Sequence, residues 1–265
     1  TDPDIVPYIP DGIGNSTDRQ RIPAVLIIPG GAFRRLVYNF EGEDVAKWLN
    51  SMGIAAFVLE CRLPSDEHDN AEDVPLIDAM RAMRVIRGRA QEFGIDEAKI
   101  GVMGFSAGGF MAALLSTAYE SDVYADYKYK DEYDKLSARP DFAVCSYPVI
   151  SIDDCIEAGK RYMSEEQVLE RISDSKAKIL HKYNPDKLVR PDMPPVFICE
   201  TDDDRTTLSE NSVGFYMAAR KAGVSAELHI FRTGGHGYGC GDDFAQTGEW
   251  KVLFTKWIKS IGIIS

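Results

Sequence analysis

The chain has 265 residues, 45% of them hydrophobic, and 42 Asp plus Glu against 30 Lys plus Arg, for a net charge of −12 at pH 7. An acidic surplus of that size repels phosphate backbones and anionic lipid, which argues against nucleic acid and membrane as partners and disfavours strongly anionic polymers. There is no run of about 18 apolar residues, so no transmembrane helix is expected, while the apolar content suffices for the core of one α/β domain covering 1–265.

Val6-Pro7-Tyr8-Ile9-Pro10 reads as an edge strand, where proline is tolerated. Residues 24–29 read as a buried strand and end in Pro29-Gly30-Gly31-Ala32-Phe33. Pro-Gly-Gly is also an ordinary turn signal. Its place after a buried strand and upstream of a serine motif favours a loop that offers backbone N–H groups to an oxyanion, with Gly31 and Ala32 as donors. A short helix follows over 41–49 and a strand over 55–61. A long helix then runs from Asp73 to Phe93, its stripe of Leu76, Met80, Met83, Ile86, Ala90 and Phe93 spaced for packing on a sheet.

The strand at 99–104 leads into Gly104-Phe105-Ser106-Ala107-Gly108-Gly109 and then into the helical run Phe110-Met111-Ala112-Ala113-Leu114-Leu115. A G-x-S-x-G between strand and helix is a nucleophile elbow, a strained turn that lifts a serine Oγ above the sheet. Side chains at Gly104 and Gly108 would collide in such a turn. The helix start also supplies free N–H groups, which makes Ala107 the second oxyanion donor.

Residues 120–192 break the regular alternation and are expected to form a lid-like insertion, although 142–147 within them reads as a strand. The tyrosines between Tyr119 and Tyr133 suit a solvated face or a surface lining the substrate site equally well. Residues 151–190 read as helical and charged.

A strand at 195–200 is followed by Asp202-Asp203-Asp204, three candidates for an acid that would orient a histidine. A helix over 208–222, a strand over 226–231 and a helix over 244–261 complete the chain. Of the four histidines, only His236 lies in a glycine loop past a late strand, Gly234-Gly235-His236-Gly237. The order Ser, Asp, His is the order in which a hydrolase triad follows an elbow. His229, inside a strand pattern, reads as structural; His68 reads as solvated; His181 is left open as a residue that borders the site. The five cysteines are scattered, odd in number and without a C-x-x-C pair, so neither a disulfide framework nor a zinc site is expected. This leans towards a cytoplasmic chain. No signal peptide is visible, but the chain opens on Thr1, so a secreted protein with its leader removed stays open. There is no phosphate loop and no dinucleotide fingerprint, and no cofactor or metal is expected.

These landmarks, with Glu41-Gly42-Glu43-Asp44-Val45-Ala46, Cys61-Arg62-Leu63-Pro64, Tyr147-Pro148-Val149-Ile150-Ser151 and Pro194-Pro195-Val196-Phe197, resemble the α/β-hydrolase esterases of the acetylxylan esterase and lipase/esterase group over most of the chain. The resemblance implies an α/β-hydrolase fold, a mostly parallel sheet with helices on both faces, and the triad Ser106, Asp204 and His236. Asp204 is chosen because the group often shows Asp-x-x-Val and Thr207 stands three residues on; Asp203 is second. The resemblance also implies a serine esterase that cleaves short acyl groups, acetyl above all, from small-molecule or oligosaccharide esters such as acetylated xylo-oligosaccharides. A general carboxylesterase and an inactive hydrolase-fold binding protein are the alternatives; a peptidase is disfavoured because related peptidases usually add a large second domain. Ala32 for a third glycine, Cys61 for an aromatic, Glu200 for a histidine and Thr207 for valine depart from the group pattern.

Overall fold

The computed structural model describes residues 3–12, 21–64, 69–125, 127, 130–161, 163–171, 174–241 and 245–265. Its centre is a seven-stranded sheet: β1 (Asp4–Tyr8), β2 (Ile22–Ile28), β3 (Ala55–Glu60), β4 (Ile95–Phe105), β5 (Ala143–Ser146), β6 (Val196–Thr201) and β7 (Ala226–Phe231). Their order across the sheet is β1-β3-β2-β4-β5-β6-β7. All neighbours are parallel except β1, which runs antiparallel to β3 at the edge and carries Pro7 opposite Phe57.

Parallel strands buried on both faces read as continuous apolar runs, and the two-residue period then splits them between two cores. Ala24, Leu26 and Ile28 join the core under α2 (Val74–Gly88), α4 (Ala107–Ala118) and α8 (Ser209–Lys221). Val25 and Ile27 join the opposite core, under α1 (Asp44–Ser51) and α9 (Ala245–Ser260), where Trp250, Phe254 and Trp257 are buried. The long helix expected over 73–93 is two pieces, α2 and a single turn α3 (Ala90–Phe93). A π-helical turn, Asn39–Glu43, precedes α1.

Residues 120–192 are not one insertion. β5 lies within them and pairs on both sides, with β4 and β6. The remainder is a stretch before β5 with two 3-10 turns (Asp122–Tyr124 and Glu132–Lys135), and after it three short α-helices, α5 (Ile152–Lys160), α6 (Glu165–Arg171) and α7 (Asp174–Lys182), and a 3-10 turn at Pro185–Lys187. Tyr119, Tyr124, Tyr127 and Tyr133 meet arginines, and the last three lie against the α2 arginines. Arg84 sits 4.1 Å over the Tyr124 ring, Arg81 lies 5.9 Å from both Tyr127 and Tyr133, and Arg190 and Arg139 face Tyr119.

Candidate active site

The elbow forms where β4 hands over to α4. Ser106 takes φ 54° and ψ −116°, a conformation that L residues avoid and that surrounding contacts must hold. Its N–H donates to Ser146 O at 3.0 Å and its carbonyl accepts from Phe110 N at 3.0 Å, which fixes the turn between β5 and α4. The flanking glycines are required by space. A Cβ on Gly104 would stand 1.9 Å from Gly108 O, and one on Gly108 would stand 1.9 Å from Ile28 O.

Ser106 Oγ lies 2.8 Å from His236 Nε2, and His236 Nδ1 lies 2.6 Å from Asp204 Oδ2. Asp204 is 4% exposed, and its acceptor capacity is filled. Oδ1 accepts the N–H groups of Thr206 (2.6 Å) and Thr207 (2.9 Å), and Oδ2 accepts the Thr207 hydroxyl at 2.9 Å as well as the imidazole. Burial pushes the Asp204 carboxyl up, but the His236 hydrogen bond and charge, with the two N–H groups, outweigh it and hold it below the usual carboxylate range. An ionised Asp204 requires the proton on Nδ1, which leaves Nε2 free to accept from Ser106.

The other two aspartates part company here. Asp203 Oδ1 accepts from Gly234 N at 2.9 Å and Gly235 N at 2.8 Å, and so ties down the loop that carries the histidine. Asp202 is exposed and lies away from the imidazole contacts.

Above Ser106 opens a cleft of about 530 Å³, lined in part by Gly31, Ala32, Ala107, Ser106 and His236. Gly31, Ala32 and Phe33 all have positive φ (135°, 57° and 60°). This curl is pinned by the buried Phe33 ring, edge-on to Phe110 at 5.6 Å, and by Arg34 N and Arg35 N donating to Gly31 O. The loop thus consumes the Arg34 and Arg35 N–H groups. Those of Gly31 and Ala32 have no acceptor among the described residues, and neither does that of Ala107 at the head of α4.

A second network escaped the sequence reading. Glu41, 4% exposed, accepts from Gly30 N at 2.8 Å and from Tyr147 Oη at 2.9 Å. The same Tyr147 oxygen accepts from Gly239 N at 3.0 Å, and the Tyr147 ring stands edge-on to His236 at 5.1 Å. One carboxyl and one phenol therefore join the loop that begins at Gly30 to the histidine loop. Burial drives the Glu41 carboxyl up, opposed by the Tyr147, Gly30 and His236 contacts. Glu41 and Tyr147 stand among the sequence landmarks, but nothing in their local pattern pairs two residues so far apart. Below the triad, Glu200 is wholly buried, accepting from Thr201 N at 2.9 Å and Ser212 Oγ at 3.3 Å. Burial first, and then the neighbouring Asp204 charge, push its carboxyl far up.

Of the other histidines, His229 bonds Glu227 at 2.7 Å and packs on Phe197, and His181 is an exposed residue of α7 outside the cleft lining. His68 lies outside the described residues. All five cysteines are buried. Among the described residues no group of His, Cys, Asp or Glu converges to hold a metal, and no helix is long and apolar enough to cross a membrane.

Known proteins share this arrangement of chain. The acetylxylan esterase of Xylanibacter ruminicola is 31% identical over 240 residues, which are 90% of this chain but 45% of that protein, so the chain spans about half the length of that relative. The crystal structure of an acetyl ester-xyloside bifunctional hydrolase from Caldicellulosiruptor lactoaceticus superposes with a TM-score of 0.82 at 37% identity, covering 99% of this chain and 89% of that one. The propionate-bound esterase Est2 of Thermogutta terrifontis gives a TM-score of 0.76 at 25% identity, covering 100% and 92%. The BD-FAE family model matches residues 13–218, a span that takes in the elbow and the acid turn. The chain therefore belongs to the BD-FAE family and has the α/β-hydrolase fold of the carboxylesterases.

Proposed function

We propose that the protein is a serine esterase that removes short acyl groups, acetyl foremost, from carbohydrate esters of the acetylated xylo-oligosaccharide type. The observation that carries this is the continuous relay Ser106–His236–Asp204, at 2.8 and 2.6 Å, beneath three unspent backbone N–H groups.

In the reaction, Ser106 Oγ bonds to the ester carbonyl carbon as His236 Nε2 takes its proton. Asp204 steadies the imidazolium and the carbonyl oxygen becomes an oxyanion held by Ala107 N and by Gly31 or Ala32 N. The intermediate collapses, the C–O bond to the alcohol breaks, and Nε2–H gives its proton to the departing oxygen. Water then gives a proton to Nε2 and bonds to the acyl carbon. Ser106 Oγ leaves, recovers the proton, and the carboxylic acid is released.

Two features support a short acyl group. A recess of about 10 Å³ adjoins the cleft and shares Ala107 and Arg35 with it, among Phe33, Leu36 and Met111. That is room for one water- or methyl-sized group. The named relatives act on, or hold, short acyl groups. Tyr119, Tyr124, Tyr127 and Tyr133 give no support for sugar stacking, since they lie against arginines; Tyr129 lies outside the described residues, and Val149 is the one cleft-lining residue contributed by 120–192 among the described residues. Phe40, 38% exposed in the cleft wall, is the aromatic face on offer instead.

The test is an ester panel running from acetyl to octanoyl with acetylated xylo-oligosaccharides added, with Ser106→Ala as control. Highest kcat/KM at acetyl, with release of acetate from the oligosaccharide, is expected. A steady rise towards octanoyl refutes the sugar-ester reading and leaves a lipase-like carboxylesterase; no Ser106-dependent turnover on any ester leaves an inactive binding protein.

A further inference from the structure

Arg34 and Arg35 line the cleft beside Ser106 and are both exposed. Neither makes a side-chain hydrogen bond, ion pair or ring contact with any described residue. Several other arginines are matched: Arg62 with Asp78, Arg81 with Asp131, Arg87 with Asp141, Arg190 with Asp192. Here two such cations stand side by side on one loop that lines the cleft, on a chain of net charge −12.

Three observations make this pair a built feature. The loop that carries them is held in its curl by Phe33 and by their own N–H groups bonding Gly31 O, so both side chains depart from a fixed backbone. The carboxyl in the cleft lining, Glu41, is 4% exposed and has both oxygens bonded to internal donors, Gly30 N and Tyr147 Oη, rather than to either guanidinium. The triad aspartate is buried behind the imidazole and its bonds are spent. The cleft is thus locally cationic while the chain as a whole is anionic.

A guanidinium presents a planar fork that matches a carboxylate, and that bond is about twice as strong as a neutral one. We propose that Arg34 and Arg35 form a carboxylate subsite, and that the preferred substrate is an acyl ester of a carbohydrate bearing a uronic acid. Arg35 borders both the recess and the cleft and Arg34 the cleft alone; the carboxylate is placed on the sugar because the recess of about 10 Å³ leaves the acyl side no room for a second polar group, whereas the cleft of about 530 Å³ accommodates a sugar. This rests on the esterase reading above and narrows its substrate class. It also refines what net charge implies: the chain repels anionic polymers at large but accepts an isolated carboxylate at this site.

The experiment compares deacetylation of two acetylated xylo-oligosaccharides of equal length, one neutral and one carrying a single uronic acid. The acidic one is expected to show a kcat/KM about ten-fold higher at low salt, through KM. The advantage should fade between about 0.01 M and about 1 M NaCl, as the screening length drops from roughly 30 to 3 Å. In Arg34→Gln/Arg35→Gln the ratio should fall to about one, and Arg→Lys at both should keep only part of it. Should the double variant misfold, product inhibition of the unaltered enzyme decides: the deacetylated acidic oligosaccharide must inhibit more strongly than the neutral one, and lose that edge in salt. A ratio of one or below at low salt, or one unmoved by the Gln pair, overturns the subsite. A preference instead for hemisuccinate over acetyl esters of a plain alcohol would move the carboxylate to the acyl side and overturn the sugar assignment. Failure of the esterase reading itself looks different, because the neutral acetyl ester would then not be cleaved.

Discussion

The cleft above Ser106 and the α2 face that meets Tyr124, Tyr127 and residues 131–136 are made of the same materials, and use them in opposite ways. On α2, Arg81 pairs with Asp131 and Asp134, Arg84 Nε donates to Leu136 O at 3.0 Å, and Tyr124 donates to Asp134. The Tyr133 ring occupies the place where a side chain at Gly88 would stand. Arg81 and Tyr124 spend their polar heads inside the fold, as does Arg84 Nε, Arg84 Nη1 being a buried exception. In the cleft, the N–H groups of Gly31, Ala32 and Ala107 and the heads of Arg34 and Arg35 are left over, although the residues beneath them are bonded to saturation. A fold spends its polar groups on itself where it needs only stability. It leaves them free, on a rigid support, where something else must bind.

The largest effect should come from the relay itself. Ser106→Ala and His236→Ala should each lower kcat by roughly 10⁴–10⁶, with the double variant barely worse, because members of one catalytic unit are not additive. More than a few per cent activity remaining in a clean Ser106→Ala preparation would show that the cleft chemistry is elsewhere. Next come the aspartates. Asp204→Asn should cost about 10⁴ in kcat through the wrong imidazole tautomer. Asp203→Asn should cost far less, and Asp202→Asn almost nothing. Equal losses at all three would break the link between the 2.6 Å contact and function.

The remaining two tests concern stability. Glu200 has its carboxyl pushed well above 4.5 by burial, whereas Asp131 has its own lowered, first of all by the Arg81 hydrogen bond. A raised carboxyl contributes stability that is full below its unfolded value and is lost as pH rises through the folded one, since the native state then binds the extra proton. Glu200→Gln removes that dependence. Its Tm relative to the parent should be near parity or below at about pH 4 and gain steadily towards about pH 8. A difference that stays flat with pH would show that the native carboxyl titrates normally. The smallest effect is expected on α2. Tyr124→Phe loses one hydrogen bond, of about 1 kcal/mol, and should lower Tm by roughly 2–4 °C with kcat/KM for p-nitrophenyl acetate unchanged. A change in kcat/KM would mean that this face communicates with the cleft after all.

Sequence alone determined a good deal. The apolar runs at 24–29 and 55–61 lie within a residue or two of β2 and β3, because burial on both faces forces an unbroken apolar pattern wherever the strand ends up, and 226–231 coincides with β7 at the sheet edge, where Glu227 and His229 break the apolar run. Gly104 and Gly108 identified the elbow because the constraint is local: their hydrogens face backbone atoms a few residues away or on the adjacent strand. The Ser, Asp, His order and the glycine loop around His236 likewise write their geometry into neighbouring residues. What only the tertiary structure decided is pairing across distance. Three adjacent aspartates are alike in sequence, and one becomes the histidine's partner because the turn after β6 aims it inward while Asp203 is taken by Gly234 and Gly235. Glu41 finds Tyr147 across the ends of the sheet, and Tyr119, Tyr124, Tyr127 and Tyr133 find arginines instead of the cleft. Whether an arginine is matched or left free is decided in the same way, for a charge is paired by whichever backbone passes within hydrogen-bonding reach, and no local pattern encodes that.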